Sequence, residues 1–112
     1  MQGEELVFKV KADLLKSLAH PTRLAILEYL HGKEASVGEM VAKLGIEQSS
    51  LSKHLSVLKQ SGMLSSRQAK VTVYYSVKDK DIFIVLRTIS KILMKKFHEG
   101  EVLLKHLAKT DK

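Results

Sequence analysis

Gln48, Ser49, Ser50, Ser52, Lys53 and His54 fall together in the stretch LGIEQSSLSKHLSVLKQSG, residues 44–62. A glutamine amide sets a donor beside an acceptor and matches the major-groove edge of adenine. A serine hydroxyl reaches base edges or phosphates at close approach, and a lysine meets guanine or the backbone. Such a set also has a plainer meaning, a solvated face on a surface helix. Serine is a mediocre helix former, so Ser49, Ser50, Ser52 and Ser56 in one helix forgo roughly several tenths of a kcal/mol relative to alanine, which favours a use for the hydroxyls. Ser49 or Ser50 would equally suit a helix cap. Hydrolytic or transfer chemistry is not indicated. There is no cysteine nucleophile, no glycine-rich phosphate loop, no pair of carboxylates beside a histidine, and no base for the serines except His54 in their own helix. The chain is not expected to be an enzyme.

These side chains need a helix held by its other face. Leu51, Leu55 and Leu58 recur at i, i+4 and i+7 and provide that face. Before it, SVGEMVAKLG carries Ser36 and Glu39 at capping-box spacing, an apolar stripe of Val37, Met40, Val41 and Leu44, and Gly45 as a left-handed stop. A short helix, a tight glycine turn and a second helix ending at Gly62 make a helix-turn-helix over about residues 36–62. Upstream, Leu6, Val10, Leu14, Leu15 and Leu18 predict a helix over about residues 5–18. AHPTRLAILEYLHG predicts another, with His20 and Pro21 at its start and Gly32 after its end. Downstream the period changes to alternation. MLSSRQAKVTVYYSV predicts a hairpin over about residues 63–77, with strands Leu64–Gln68 and Val71–Val77 and a turn near Ala69 and Lys70. A final helix over about residues 81–108 carries Ile82, Val85, Leu86, Ile89, Leu93 and Phe97 as an apolar seam, with Gly100 as a break or bend.

The 112 residues suit one domain, residues 1–112, mainly α in an α+β arrangement. Zero cysteines exclude disulfides and thiolate metal sites within this sequence. The net charge of +7 suits a polyanion, and its distribution sharpens the point. Residues 1–46 hold six basic and six acidic side chains, residues 47–77 four against one, and residues 78–112 nine against five. The basic excess begins with the serine-rich helix. No apolar run approaches the roughly 18 residues a bilayer crossing requires, and the start MQGEELVFKVKADLL lacks the charge order of a signal peptide, so a cytoplasmic location with no membrane partner is expected.

LLKSLAHPTRLAILEYL, then SVGEMVAKLGIEQSSLSKHLSVLKQSGML and VYYSV, resemble the ArsR/SmtB family of winged helix-turn-helix repressors over roughly residues 12–78. The resemblance implies a winged helix-turn-helix with a two-stranded hairpin wing and N- and C-terminal dimerisation helices. It further implies a homodimer, a double-stranded inverted-repeat operator and an inducer of unknown kind. On that resemblance Gln48, Ser49, Ser52 and Lys53 meet the major groove, with Ser50 and His54 beside them, and Arg67 and Lys70 act from the wing. His54 also reads as a partly buried, hydrogen-bonded histidine, and Arg23 as a structural or phosphate contact. The other class left open is a winged-helix module that holds a protein or RNA without reading DNA sequence.

Leu6, Val10 and Leu14 at one end, and Ile82, Val85, Ile89, Leu93 and Phe97 at the other, are the expected dimer surface. Many members of the family sense metal through cysteines, which are absent here, or through Asp and His residues of the last helix. Asp81 lines up with the leading carboxylate of that second site, but Phe83 stands where a histidine is needed and Met94 and Phe97 lie about where later ligands come. No cofactor is therefore expected. His98, Glu99, Glu101 and His106 have the atoms for zinc or nickel, yet His98 and His106 are eight residues apart and one straight helix does not bring both to one ion; a solvated helix is the plainer reading. Arg87, Lys91 and Lys95 form a basic stripe with the same plain meaning.

Overall fold

The structure, a computed structural model, describes residues 2–97 and 101–110, with side chains in the last segment described for residues 105–109. The chain forms two compact units, Met1–Lys78 and Asp79–Lys112.

The first unit opens with α1, Gln2–Leu18, which carries Glu4 and Glu5 in its first turn and Lys16 in its last, each matched to the helix dipole. Helix α2, Pro21–Tyr29, starts as its sequence requires. His20 has extended backbone and its ring Nδ1 accepts the Thr22 N–H at 3.0 Å, while Pro21 occupies a first-turn position that needs no donor. Strand β1, Ala35–Ser36, leads directly into α3, Val37–Leu44, whose capping box is complete: the Glu39 N–H donates to Ser36 Oγ and the Ser36 N–H to Glu39 Oε1, both at 3.2 Å. Gly45, at φ 65°, turns the chain into α4, Gln48–Gln60. Strands β2, Leu64–Ala69, and β3, Thr72–Val77, form the wing.

The sheet order is β1-β3-β2, all antiparallel, so the wing is rooted in the segment just before α3. Strand β1 was not expected. At two residues it is too short to show alternation, and it exists through its pairing with Tyr74 and Tyr75 of β3. The hairpin turn also lies one residue beyond its expected place. Ala69 pairs with Thr72, so Lys70 and Val71 form the turn, Lys70 supplies the left-handed residue at φ 59°, and Val71 is 94% exposed at the tip instead of entering the strand. The core contains Ile26, Leu27, Leu30, Met40, Leu51, Leu55, Leu58 and Leu64, each at most 2% exposed. It joins α2, α3, α4 and the first residue of β2. Three of these eight belong to α4, so the fold is organised around fixing that helix.

The second unit contains α5, Asp81–Lys96, and α6, Glu101–Thr110. The Asp79 carboxylate accepts the Asp81 N–H at 2.9 Å and starts α5. Ile82, Phe83, Leu86 and Ser90 are its buried residues. Ile82 therefore departs from its expected place on a free dimer surface: it lies on the stripe already buried in the single chain, whereas Val85 and Ile89, rotated around the helix, are 41% and 43% exposed. Among the described residues, no helix is long and apolar enough to cross a membrane.

Candidate nucleic-acid interface

Helix α4 presents two unlike faces. Leu51, Leu55 and Leu58 are 0–1% exposed and anchor it, and their spacing turns Gln48, Ser49, Ser52, Lys53 and Ser56 outward, where all are exposed. Four of the expected reading residues, Gln48, Ser49, Ser52 and Lys53, thus share one solvent-facing surface. Ser50 and His54 do not. They are half-buried on the flank of the helix. At its start Glu47 is the N-cap but makes no side-chain cap bond, and its carboxylate accepts the Ser49 hydroxyl. At its other end Lys59 Nζ donates to Ser66 Oγ of β2 at 2.6 Å and ties the helix to the root of the wing.

On the wing, Lys70 is exposed at the tip, and Gln68 Nε2 donates to its carbonyl oxygen at 3.2 Å. Arg67 is exposed but already engaged. Its Nε donates to Glu34 Oε1 and Oε2 at 3.1 and 2.9 Å, its second guanidinium nitrogen also reaches Glu34, and it lies 4.8 Å from the Tyr74 ring centre. The hydrogen bond from Arg67 holds the Glu34 carboxyl below its usual range, and the same pairing raises Arg67. Because β3 separates β1 from β2, this contact spans the sheet from Arg67 across Tyr74 to the residue preceding β1.

His54 meets two residues of the α2 start. Arg23 Nη1 lies 3.2 Å from its Nδ1, and the His20 ring lies 4.2 Å away centre to centre, tilted by 37°. Arg23 Nη2 also donates to the Lys16 carbonyl at the end of α1. Burial, then electrostatic interaction with His20, Arg23 and Lys53, depresses the His54 pKa below its ordinary value. Arg23, read from the sequence as a structural or phosphate contact, is here a tie between three helices.

Neither Glu34 nor Lys59 stood out in the sequence. The Glu34–Arg67 contact joins residues 33 apart and Lys59–Ser66 joins a helix to a strand, so no local spacing announces either. Of the residues weighed for metal, His98, Glu99 and the proposed break at Gly100 lie outside the described residues, as does the Glu101 side chain. His106 is exposed on α6. Among the described residues no three His, Asp or Glu side chains converge as metal ligands.

On the helix seams, Leu6 and Val10 of α1 are 60% and 58% exposed and Leu14 is 38% exposed; on α5, Leu93 is half-buried and Phe97, which caps its C-terminus, is 41% exposed.

Known proteins place this architecture. A helix-turn-helix domain model matches residues 18–67, the segment from the end of α1 to the middle of β2. The uncharacterised HTH-type transcriptional regulator Rv0081 of Mycobacterium tuberculosis is 36% identical over 108 residues, covering 96% of this chain and 94% of that protein, and its crystal structure superposes with a TM-score of 0.75 over 83% of this chain and 94% of the other. The crystal structure of NolR from Sinorhizobium fredii is 34% identical with a TM-score of 0.76, covering 82% of this chain and 92% of that one. The transcriptional activator HlyU of Vibrio cholerae is 34% identical over 79 residues, 70% of this chain and 73% of that protein. With the capped short helix, the glycine turn, the leucine-anchored second helix and the hairpin in the same chain order, the protein belongs to the ArsR family of winged helix-turn-helix transcriptional regulators, which bind DNA and are not enzymes.

Proposed function

We propose that Gln48, Ser49, Ser52 and Lys53 are the base-reading edge, set in the major groove by α4, with Ser50 and His54 supporting them from its flank and Lys70 and Arg67 meeting flanking phosphate or minor groove from the wing. The observation that carries this reading is the division of α4 into a leucine face with almost no exposure and an exposed Gln/Ser/Lys face. Lys70 projects at the hairpin tip. Arg67 joins it by exchanging the Glu34 carboxylate for a phosphate oxygen, a like-for-like substitution for a guanidinium fork.

The protein acts as a homodimer on an inverted repeat. Leu6, Val10 and Leu14 on α1, and Val85, Ile89, Leu93 and Phe97 on α5, supply apolar area that a second copy would bury, and a two-fold dimer places two α4 helices about 34 Å apart, one turn of DNA. It represses by covering its operator, in the cytoplasm and without the family's usual metal sites: the chain has no cysteine and Phe83 stands in place of a histidine ligand. HlyU, named an activator, marks the other sign of regulation.

Fluorescence anisotropy on genomic fragments enriched by the wild-type protein tests the reading. Gln48→Ala with Lys53→Ala should lose preference among fragments while keeping dimer mass and helical content. Unchanged preference would sink the proposal, and a flat salt dependence would favour a protein partner over nucleic acid.

A further inference from the structure

Around His54 two imidazole rings share one constraint. Arg23 is always protonated and can only donate, so its bond to His54 Nδ1 requires a lone pair there. The His20 Nδ1 accepts the Thr22 N–H, so it too must be unprotonated. Both rings therefore carry their single proton on Nε2. An imidazolium has no acceptor, so protonating His20 removes the cap of α2, and protonating His54 removes the contact by which Arg23 joins α1 and α2 to α4. The groups that face the His54 ring are His20 and Arg23 of α2 and Lys53 of its own helix; α1 contributes the Lys16 carbonyl to Arg23, and no carboxylate from α1, α2, α3 or β2 is among the charges acting on the ring. A proton arriving here meets the positive charges of Arg23 and Lys53 and no carboxylate. The Arg23 Nε is buried without a hydrogen-bond partner, so the guanidinium is held by its Nη1 and Nη2 contacts to His54 and the Lys16 carbonyl.

We propose that His20, Arg23 and His54 form a positioning latch that aims the recognition helix α4 only while both imidazoles are neutral, so that mild acid releases the helix and weakens DNA reading. The latch rests on α4 being the reading helix. Its pH sense opposes the ordinary one, because added protons normally strengthen binding to a polyanion. The sign on stability follows from the depressed His54 value. The unfolded chain takes up its proton first, so stability is complete above about pH 6.5 and is lost as pH falls through the lower folded value.

His54→Asn supplies a side-chain oxygen that can accept from Arg23 but does not titrate. His20→Asn does the same for the α2 cap. Operator affinity and melting temperature are measured for wild type and for the double variant between pH 7.5 and 5.5 at fixed ionic strength, and the nitrogen NMR shifts of His20 and His54 are followed in the free protein. The wild type should lose roughly tenfold in affinity across this range, the size of one lost hydrogen bond to a charged group. The double variant, whatever its affinity at pH 7.5, should hold that value down to pH 5.5 and so lack the acid limb. Wild-type affinity that holds or rises on acidification, or an acid limb that persists in the double variant, would overturn the latch. The NMR titration is independent of DNA: protonated Nδ1 on either ring at pH 7.5 overturns the latch even if DNA is read, and absence of any preferred DNA at pH 7.5 overturns the reading face whatever the rings do.

Discussion

Replacing Gln48 and Ser52 together by alanine separates reading from folding, because the two effects have opposite signs. Both side chains are exposed on α4, so no cavity forms and no packing is lost. Alanine is the better helix former: Ser52→Ala contributes about 0.5 kcal/mol, and Gln48, at the first helical position, contributes less. A domain of this size gains roughly 2–4 °C in melting temperature from such a change. On DNA the loss is larger. A bidentate glutamine–adenine pair is worth about 1–3 kcal/mol and a symmetric dimer makes it twice, so affinity for the preferred site falls by at least roughly thirtyfold. Neither residue is charged, so non-specific binding and the slope of log affinity against log salt stay as in wild type. Calorimetry and anisotropy titration at several salt concentrations measure all three quantities. A variant that binds its best site as tightly as wild type, or that loses affinity only in proportion to lost stability, would refute the assignment of these residues to reading.

The other predictions concern what supports that face. Leu55→Ala should cost about 2–5 kcal/mol, read as a lower denaturant midpoint, because the residue is 1% exposed in the core beneath the reading face. Glu34→Gln should raise DNA affinity severalfold with the salt slope as in wild type, because Arg67 then meets phosphate without first leaving a carboxylate; unchanged affinity would confine Arg67 to holding the wing. Lys70→Gly should relieve the left-handed backbone at φ 59°, adding up to about 1 kcal/mol of stability while making the salt slope shallower by about 1.8, about 0.9 for each protomer of the dimer. Val85→Glu with Ile89→Glu should yield monomers by sedimentation and abolish tight operator binding without loss of helical content; dimers that persist would place the interface elsewhere.

Much of the local structure was legible because its signals are local. The Ser36–Glu39 box, the glycines at the ends of α3 and α4, and the leucine spacing of α4 each act within a few residues, and each forms as its sequence suggests. What stayed hidden is non-local. Strand β1 is only a pairing partner of β3, and the turn at Lys70 and Val71 is set by strand register in place of a glycine or asparagine signal. The sequence marked Arg67 as a wing cation but could not show its bond to Glu34, and it marked His54 as partly buried but could not show that Arg23 and His20 meet it. Ile82 belongs to the periodic seam of α5, yet periodicity does not distinguish a stripe buried within the chain from one left for a second copy.

The most direct test of the reading face is selection of bound sequences from a random DNA pool by the full chain, at neutral pH and moderate salt. The wild-type protein should enrich one inverted repeat with half-sites one helical turn apart, and Gln48→Ala with Lys53→Ala should lose that enrichment. A pool that stays random with the wild-type protein, or a motif enriched equally by the variant, would contradict that expectation.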